Sequence, residues 1–319
     1  MTMPPQDTPI GYLPEPRQSG PHSLPRSVLR TLAALALTPL SLAGAAILGG
    51  KGVGMHIKLN IAVLRMIFTR APIALRHAYA LLLFPMFSTR YFEFDFAYKR
   101  LSGKVRRKYL DISSPRLLPL MVARENPGLK TVDLINPDKS DLEETARFAK
   151  AFGLLPKCSL HATTIQEFAG QAYDVVTCIS VLEHIPEVND SVRRIWDLLE
   201  PGGTLILTVP CAATQKAEYI KGDPYGLHSA SANGYVFFQY LFDESMLQEL
   251  IFPVTGKPAH MEIYGEKRAG YLRRILLESY PGSNYAFWFE SIRMALNCRR
   301  FNTVRELVGE GVVCMEFVK

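Results

Sequence analysis

The sequence predicts an α/β protein built on a doubly wound parallel sheet, and three observations carry that reading. From Lys108 onward, short apolar runs alternate with helical stretches of about 12–15 residues, the pattern of a parallel sheet with helices on both faces. Within it, residues 173–210 read as strand, turn, helix, Pro-Gly-Gly turn and strand. Ahead of it, the chain is basic and apolar rather than alternating, which sets it apart as an N-terminal extension. A length of 319 residues suits one large domain with an appendage.

Residues 1–26 carry seven prolines and few apolar side chains, and are expected to be a disordered Pro-rich tail. Residues 27–90 follow as an apolar and basic helical region. Between Arg30 and Lys51 lies an uncharged run, interrupted by Pro39 and Gly44. Twenty helical residues span about 30 Å, the thickness of a bilayer's hydrocarbon core. Three readings stay open: a membrane-inserted segment, an interfacial or packed helix, or a signal peptide. In the next stretch Ile57, Ile61, Leu64 and Phe68 recur at helical spacing, with Lys58 and Arg65 on other faces. Such helices either lie on an anionic membrane surface, or pack on the domain that follows or form a dimer interface.

Charge follows the same division. Residues 1–110 hold 15 basic and four acidic side chains, a net +11, and the remainder nets −5. The basic third points to an anionic partner, membrane or nucleic acid, and its apolar content favours the membrane. The five cysteines include no C-x-x-C pair, so neither a disulfide framework nor a metal site is expected, and a cytoplasmic setting at the membrane face fits.

In the third region, 91–319, the expected elements are strand 107–112, helix 114–125, strand 129–134, helix 139–153, strands 157–161 and 173–179, helix 189–199 and strand 203–210. A loop of about 25 residues then precedes a helix near 243–254, a strand near 258–264, a helical insertion at 267–309 and a last strand at 311–318. Ser114 reads as an N-cap with Pro115 in the first turn. Phe237, Phe238, Tyr240 and Phe242 read as core packing, with an apolar acceptor pocket as the alternative.

The elements YDVV…SVLEHI and LLEPGGTLILTVP, in that order and spacing, resemble the fourth and fifth strand regions of the class I S-adenosylmethionine-dependent methyltransferase family, in its type 11-like form. The resemblance covers about residues 107–255. It implies a seven-stranded, mostly parallel, Rossmann-like sheet whose last strand runs antiparallel. It also implies S-adenosylmethionine as cofactor and methyl transfer to an oxygen or nitrogen of a small-molecule, saccharide or lipid-linked acceptor. By its motif, Asp111 stands at the acidic end of the first strand, and Ser113, Pro115 and Leu117 stand where the family has glycines, so the glycine-rich motif is degenerate. Ser113 and Ser114 would supply hydroxyls instead. Asp133 would accept the ribose hydroxyls, with Leu134 beside the adenine. Ala162 falls at the adenine-reading position, with Thr163 or His161 as substitutes. Ser180 closes the fourth strand at the cofactor edge. His184 is the first candidate base, and Tyr225 and His228, in the loop after the fifth strand, are acceptor-side candidates. Glu183 is expected to orient or cap. The departures in the glycine motif support an alternative, a catalytically inactive methyltransferase-fold scaffold. A nucleic-acid substrate is disfavoured, since no (D/N)-P-P-(Y/F/W) tetrapeptide follows the fourth strand.

Overall fold

A computed structural model describes residues 9–13, 24–69, 75–103, 105, 107–170, 172–222, 233–279 and 285–319. The chain begins with strand β1 (Ile10–Tyr12) and four helices: α1 (Leu24–Ile47), α2 (Val53–Phe68), α3 (Leu75–Leu83) and α4 (Arg90–Leu101). Alternation follows, as β2 (Lys108–Ile112), α5 (Leu117–Glu125), β3 (Thr131–Ile135), α6 (Lys139–Ala151), β4 (Cys158–His161), β5 (Tyr173–Ile179), α7 (Val188–Leu198) and β6 (Leu199–Ala212). A hairpin, β7 (Lys216–Lys221) and β8 (Tyr235–Leu241), precedes α8 (Glu244–Met246), a π turn at Leu247–Ile251 and α9 (Phe252–Thr255). The chain closes with β9 (His260–Glu266), α10 (Tyr271–Glu278), α11 (Glu290–Asn297), β10 (Cys298–Phe301) and β11 (Glu310–Val318).

Eight strands form the main sheet in the order β10-β9-β11-β6-β5-β2-β3-β4. The five from β6 to β4 are parallel, and β11 lies antiparallel between β6 and β9. The chain winds outward from β2 through β3 to β4, then returns beside β2 to lay down β5 and β6. The order therefore reverses between β2 and β5, and in open sheets ligands bind outside the carboxyl ends of the strands at such a reversal. Apolar residues bury both faces. One core gathers α2, α4, α5, α6 and α10 around Tyr109, Leu134 and Ile206, and the other gathers α7 and the 246–251 turn around Leu110, Val176 and Leu207. With helices on both sides, the strands read as continuous apolar runs.

Three sequence expectations need correction. Ile10–Tyr12, inside the expected disordered tail, pairs in parallel with Ala217–Tyr219, making a three-stranded sheet with β8. The loop expected after residue 210 contains that hairpin, whose second strand is the aromatic run Tyr235–Leu241. The insertion 267–309 is not wholly helical, since β10 extends the main sheet beyond β9.

The N-terminal helices settle on the domain. α1 buries Ala34, Thr38, Ser41, Leu42 and Ala45 and packs on α11, where Ser41 Oγ meets Ser291 Oγ at 2.8 Å. Small residues allow that close approach. The opposite side of α1, with Leu29, Leu32, Leu40 and Ile47, is exposed. By length and composition Leu29–Ile47 could cross a membrane. α2 buries Met55, Leu59, Val63 and Met66 and exposes Ile57, Ile61, Leu64 and Phe68, the last at 84 %.

Candidate active site at the sheet reversal

The site is built by two strand ends. β2 ends in Asp111-Ile112-Ser113-Ser114, and β5 ends in Ile179-Ser180. Ser113 has φ 48° and Ser180 has φ 48°, the left-handed region that favours glycine. Ser113 thus keeps the backbone turn of the position where the resemblance places a glycine. Its N–H and hydroxyl both donate to the Ile135 carbonyl, at 2.9 and 3.1 Å, which compensates for the strained conformation.

Asp111 is buried and pinned, accepting from Thr177 Oγ1 at 2.5 Å and from the Ser114 N–H at 3.1 Å. Burial pushes its carboxyl up to about 6, against the lowering effect of those donors. Ser114 does not cap the next helix. α5 starts at Leu117 with no side-chain cap, and Ser114 Oγ instead accepts from the Ile179 N–H at 3.0 Å, tying the β2 loop to β5 across the reversal.

A narrow cleft opens along this loop, lined by Asp111, Ser113, Ser114, Arg116, Leu134, Asn136 and Asp141, among others. Of the cofactor residues expected from the sequence, it brings together Asp111, Ser113, Ser114 and Leu134. Asn136 and Asp141 were missed. Asn136 Nδ2 donates to Asp141 Oδ2 at 3.0 Å, and Arg116 pairs with Asp141 and Glu144. The cleft has an accessible volume of about 10 Å³, room for a single water.

Asp133 is not at this cleft. β3 continues to Ile135, two residues past Asp133, so the carboxyl edge is reached at Asn136. Asp133 instead accepts from His161 Nε2 at 2.8 Å and Tyr173 Oη at 2.9 Å, both side chains on its own face of the sheet. Leu134 is buried, Ala162 is exposed, and the Thr163 N–H donates to the His161 carbonyl at 3.0 Å. None of Ala162, Thr163 and Ser180 lines the cleft.

At the end of β5, the turn Leu182–His184 places His184 Nδ1 2.6 Å from the Phe238 carbonyl. A carbonyl can only accept, so Nδ1 carries hydrogen and Nε2 bears the lone pair of the neutral ring. Nε2 lies 3.9 Å from Glu183 Oε1. Tyr225 and His228 lie outside the described residues. Sequence reasoning missed a further acid, Glu93. It comes from α4, is fully buried, and accepts from Ser180 Oγ at 2.5 Å and Thr208 Oγ1 at 2.6 Å. An acid flanked by Tyr91, Phe92, Phe94 and Phe96 in a basic stretch was the available signal.

Comparison with known proteins fits this arrangement. Residues 117–205 match the family profile described as a methyltransferase domain. A ubiquinone biosynthesis O-methyltransferase of Psychrobacter cryohalolentis is 31 % identical over 116 residues, covering 33 % of this chain and 42 % of its own. One of Saccharophagus degradans is 39 % identical over 77 residues, covering 21 % and 33 %. The chain thus spans less than half the length of these curated relatives. Among solved structures, a coclaurine N-methyltransferase bound to N-methylheliamine and S-adenosylhomocysteine superposes with a TM-score of 0.47 at 14 % identity, covering 70 % of each chain. The segment that matches a methyltransferase domain thus runs from α5 into β6, on a reversing parallel sheet closed by an antiparallel strand.

Proposed function

We propose that the protein transfers a methyl group from S-adenosylmethionine to an oxygen of a small, membrane-borne acceptor. The observation that carries this is the convergence of Asp111, Ser113, Ser114, Asn136 and Asp141 at the sheet reversal of a methyltransferase-family domain. Their chemistry suits the cofactor. Acceptor oxygens on Asp141 and Asn136 match a ribose diol, Asp111 complements an ammonium group, and the left-handed Ser113 turn lets backbone come close. Bound there, the cofactor supplies an electrophilic methyl group. The protein's part is then to orient the acceptor and take its proton. His184 Nε2 and Glu183 stand on the same edge for that task. Relatives named as O-methyltransferases support oxygen as the accepting atom.

The membrane setting rests on the outer faces of α1 and α2. Leu29, Leu32, Leu40, Ile47, Ile57, Ile61, Leu64 and Phe68 are exposed on helices that also present Lys58 and Arg65 to solvent. A surface of that size and makeup marks a membrane or protein contact, and its basic flank suits an anionic bilayer at the cytoplasmic face, where a lipid or lipid-linked saccharide acceptor would reside.

Calorimetric titration of the full chain in detergent with S-adenosylhomocysteine tests the reading. Micromolar binding is expected, weakened tenfold or more by Asp141→Ala and little changed by Asp133→Ala. Absence of binding by folded protein would leave a scaffold instead, with the Arg116–Asp141–Glu144 cluster as its permanent closure.

A further inference from the structure

The cleft at the sheet reversal has two walls, and one side chain crosses from the first to the second. The loop after β2 makes one wall, with Asp111, Ser113, Ser114 and Arg116. The end of β3 and the start of α6 make the other, with Asn136, Asp141 and Thr145. Most of these groups are tied to the backbone. Asp111 accepts from the Ser114 N–H, Ser113 donates to the Ile135 carbonyl, Ser114 accepts from the Ile179 N–H, and Thr145 Oγ1 donates to the Asp141 carbonyl at 2.8 Å. Arg116 is held by the side chains of α6. It stands just ahead of α5, and its guanidinium pairs with Asp141 and Glu144 and lies 6.0 Å from the centre of the Phe148 ring. Positions 141, 144 and 148 share one face of that helix, so the guanidinium lies along α6 and bridges the two walls.

The same contact occupies the acid that suits a ribose. Asp141 Oδ1 accepts from Arg116 Nη2, and Oδ2 accepts from Asn136 Nδ2 at 3.0 Å. Both carboxylate oxygens are in use, so a diol that bonds Asp141 has to displace a donor. Asn136 is fixed by a second bond, accepting from the Asp138 N–H at 2.9 Å. Arg116 is the donor that can leave. Its ion pairs are wet, with 27 % of the Arg116 and Asp141 side chains and 31 % of Glu144 exposed. Ion pairs of that exposure are weak and are screened by salt.

We propose that Arg116 is a salt-sensitive latch on the cofactor cleft, competing with the methyl donor for Asp141 and leaving it as the ligand enters. This rests on the proposed function and names a regulation of that site. The latch makes and breaks no covalent bond: guanidinium and ribose diol are alternative hydrogen-bond donors to one oxygen. The guanidinium is charged and the diol is neutral. Rising ionic strength therefore weakens the first contact and spares the second, which tips the competition toward the ligand.

Calorimetric titration of the full chain in detergent with S-adenosylhomocysteine, at about 0.05 M and about 1 M salt, tests the latch. Arg116→Gln is expected to bind about tenfold more tightly than the wild type at low salt. Wild-type affinity should rise with salt until the two proteins converge. Glu144→Gln removes one of the two anchors of Arg116 and keeps Asp141, so its affinity should lie between them. If Arg116→Gln does not fold, the wild-type salt trend and Glu144→Gln still decide. Binding by Arg116→Gln where the wild type shows none would also support the latch. Equal affinities at low salt, or weaker binding by Arg116→Gln, would overturn it, the latter by making Arg116 a ligand contact. Absence of binding by the folded wild type and both variants at either salt would refute the proposed function, and the latch with it.

Discussion

Helices α2 and α7 both carry an apolar stripe at helical spacing, and they use it in opposite ways. In α7, Val192 and Ile195 are 1 % exposed, sealed against the sheet, while the charged Asp190, Arg193 and Asp197 face solvent. In α2, Ile57, Ile61 and Leu64 are 43–45 % exposed, and a second apolar face, with Leu59 and Val63, makes the contact with the protein. A helix apolar on one side needs one partner, whereas a helix apolar on two sides needs two. For α2 the protein supplies one of them. The difference teaches that a periodic stripe establishes a helix and leaves open what covers it.

The comparison breaks most visibly if the same substitution has the same effect in both helices. Ile195→Glu would place a charge in a sealed core and is expected to cost more than about 4 kcal/mol, enough to abolish the cooperative thermal transition. Circular dichroism melting checks this. The sheet already contains one such cost in native form. Because burial raises Asp111 to about 6 from 3.8, its contribution is fully present below its unfolded value and lost as pH rises through its folded value. Asp111→Asn should therefore gain about 3 kcal/mol on the wild type between pH 4 and pH 7, read by urea denaturation at each pH. A flat difference across that range would show that Asp111 is less desolvated than the sheet implies. On the outer face of α2, Ile61→Glu with Phe68→Glu should change stability by no more than about 0.5 kcal/mol. The same pair should reduce flotation with phosphatidylglycerol-containing vesicles at least tenfold. Unchanged flotation would remove the membrane from the account.

How far the sequence could be read follows from the same physics. Strand β5 is predicted at its observed limits because Val175, Val176 and Cys178 are buried on both faces, so local composition and tertiary demand agree. The order of alternating elements through β6 was legible for that reason. The hairpin β7–β8 was not, because half-buried aromatics serve a strand as well as a loop, and β1, which completes that sheet, lies some 200 residues earlier in the chain. Asp111, Ser113, Ser114 and Leu134 could be placed from motif position, since strand ends fix the loops that follow. Asp133 could not, since whether an acid reaches the edge depends on two further strand residues. Glu93 was out of reach for a different reason. Its partners Ser180 and Thr208 lie 87 and 115 residues away, and only folding brings α4 over the ends of β5 and β6.

The central claim is that the sheet reversal is where the cofactor binds. Hydrogen–deuterium exchange of the full chain, with and without saturating S-adenosylhomocysteine, locates the site without any knowledge of the acceptor. Protection is expected in the amides of 111–117, 134–142 and 179–184. A contradicting result would be no protection at these strand ends, or protection confined to the opposite sheet edge, where Arg100, Arg107 and Asp174 line a separate cavity of about 250 Å³.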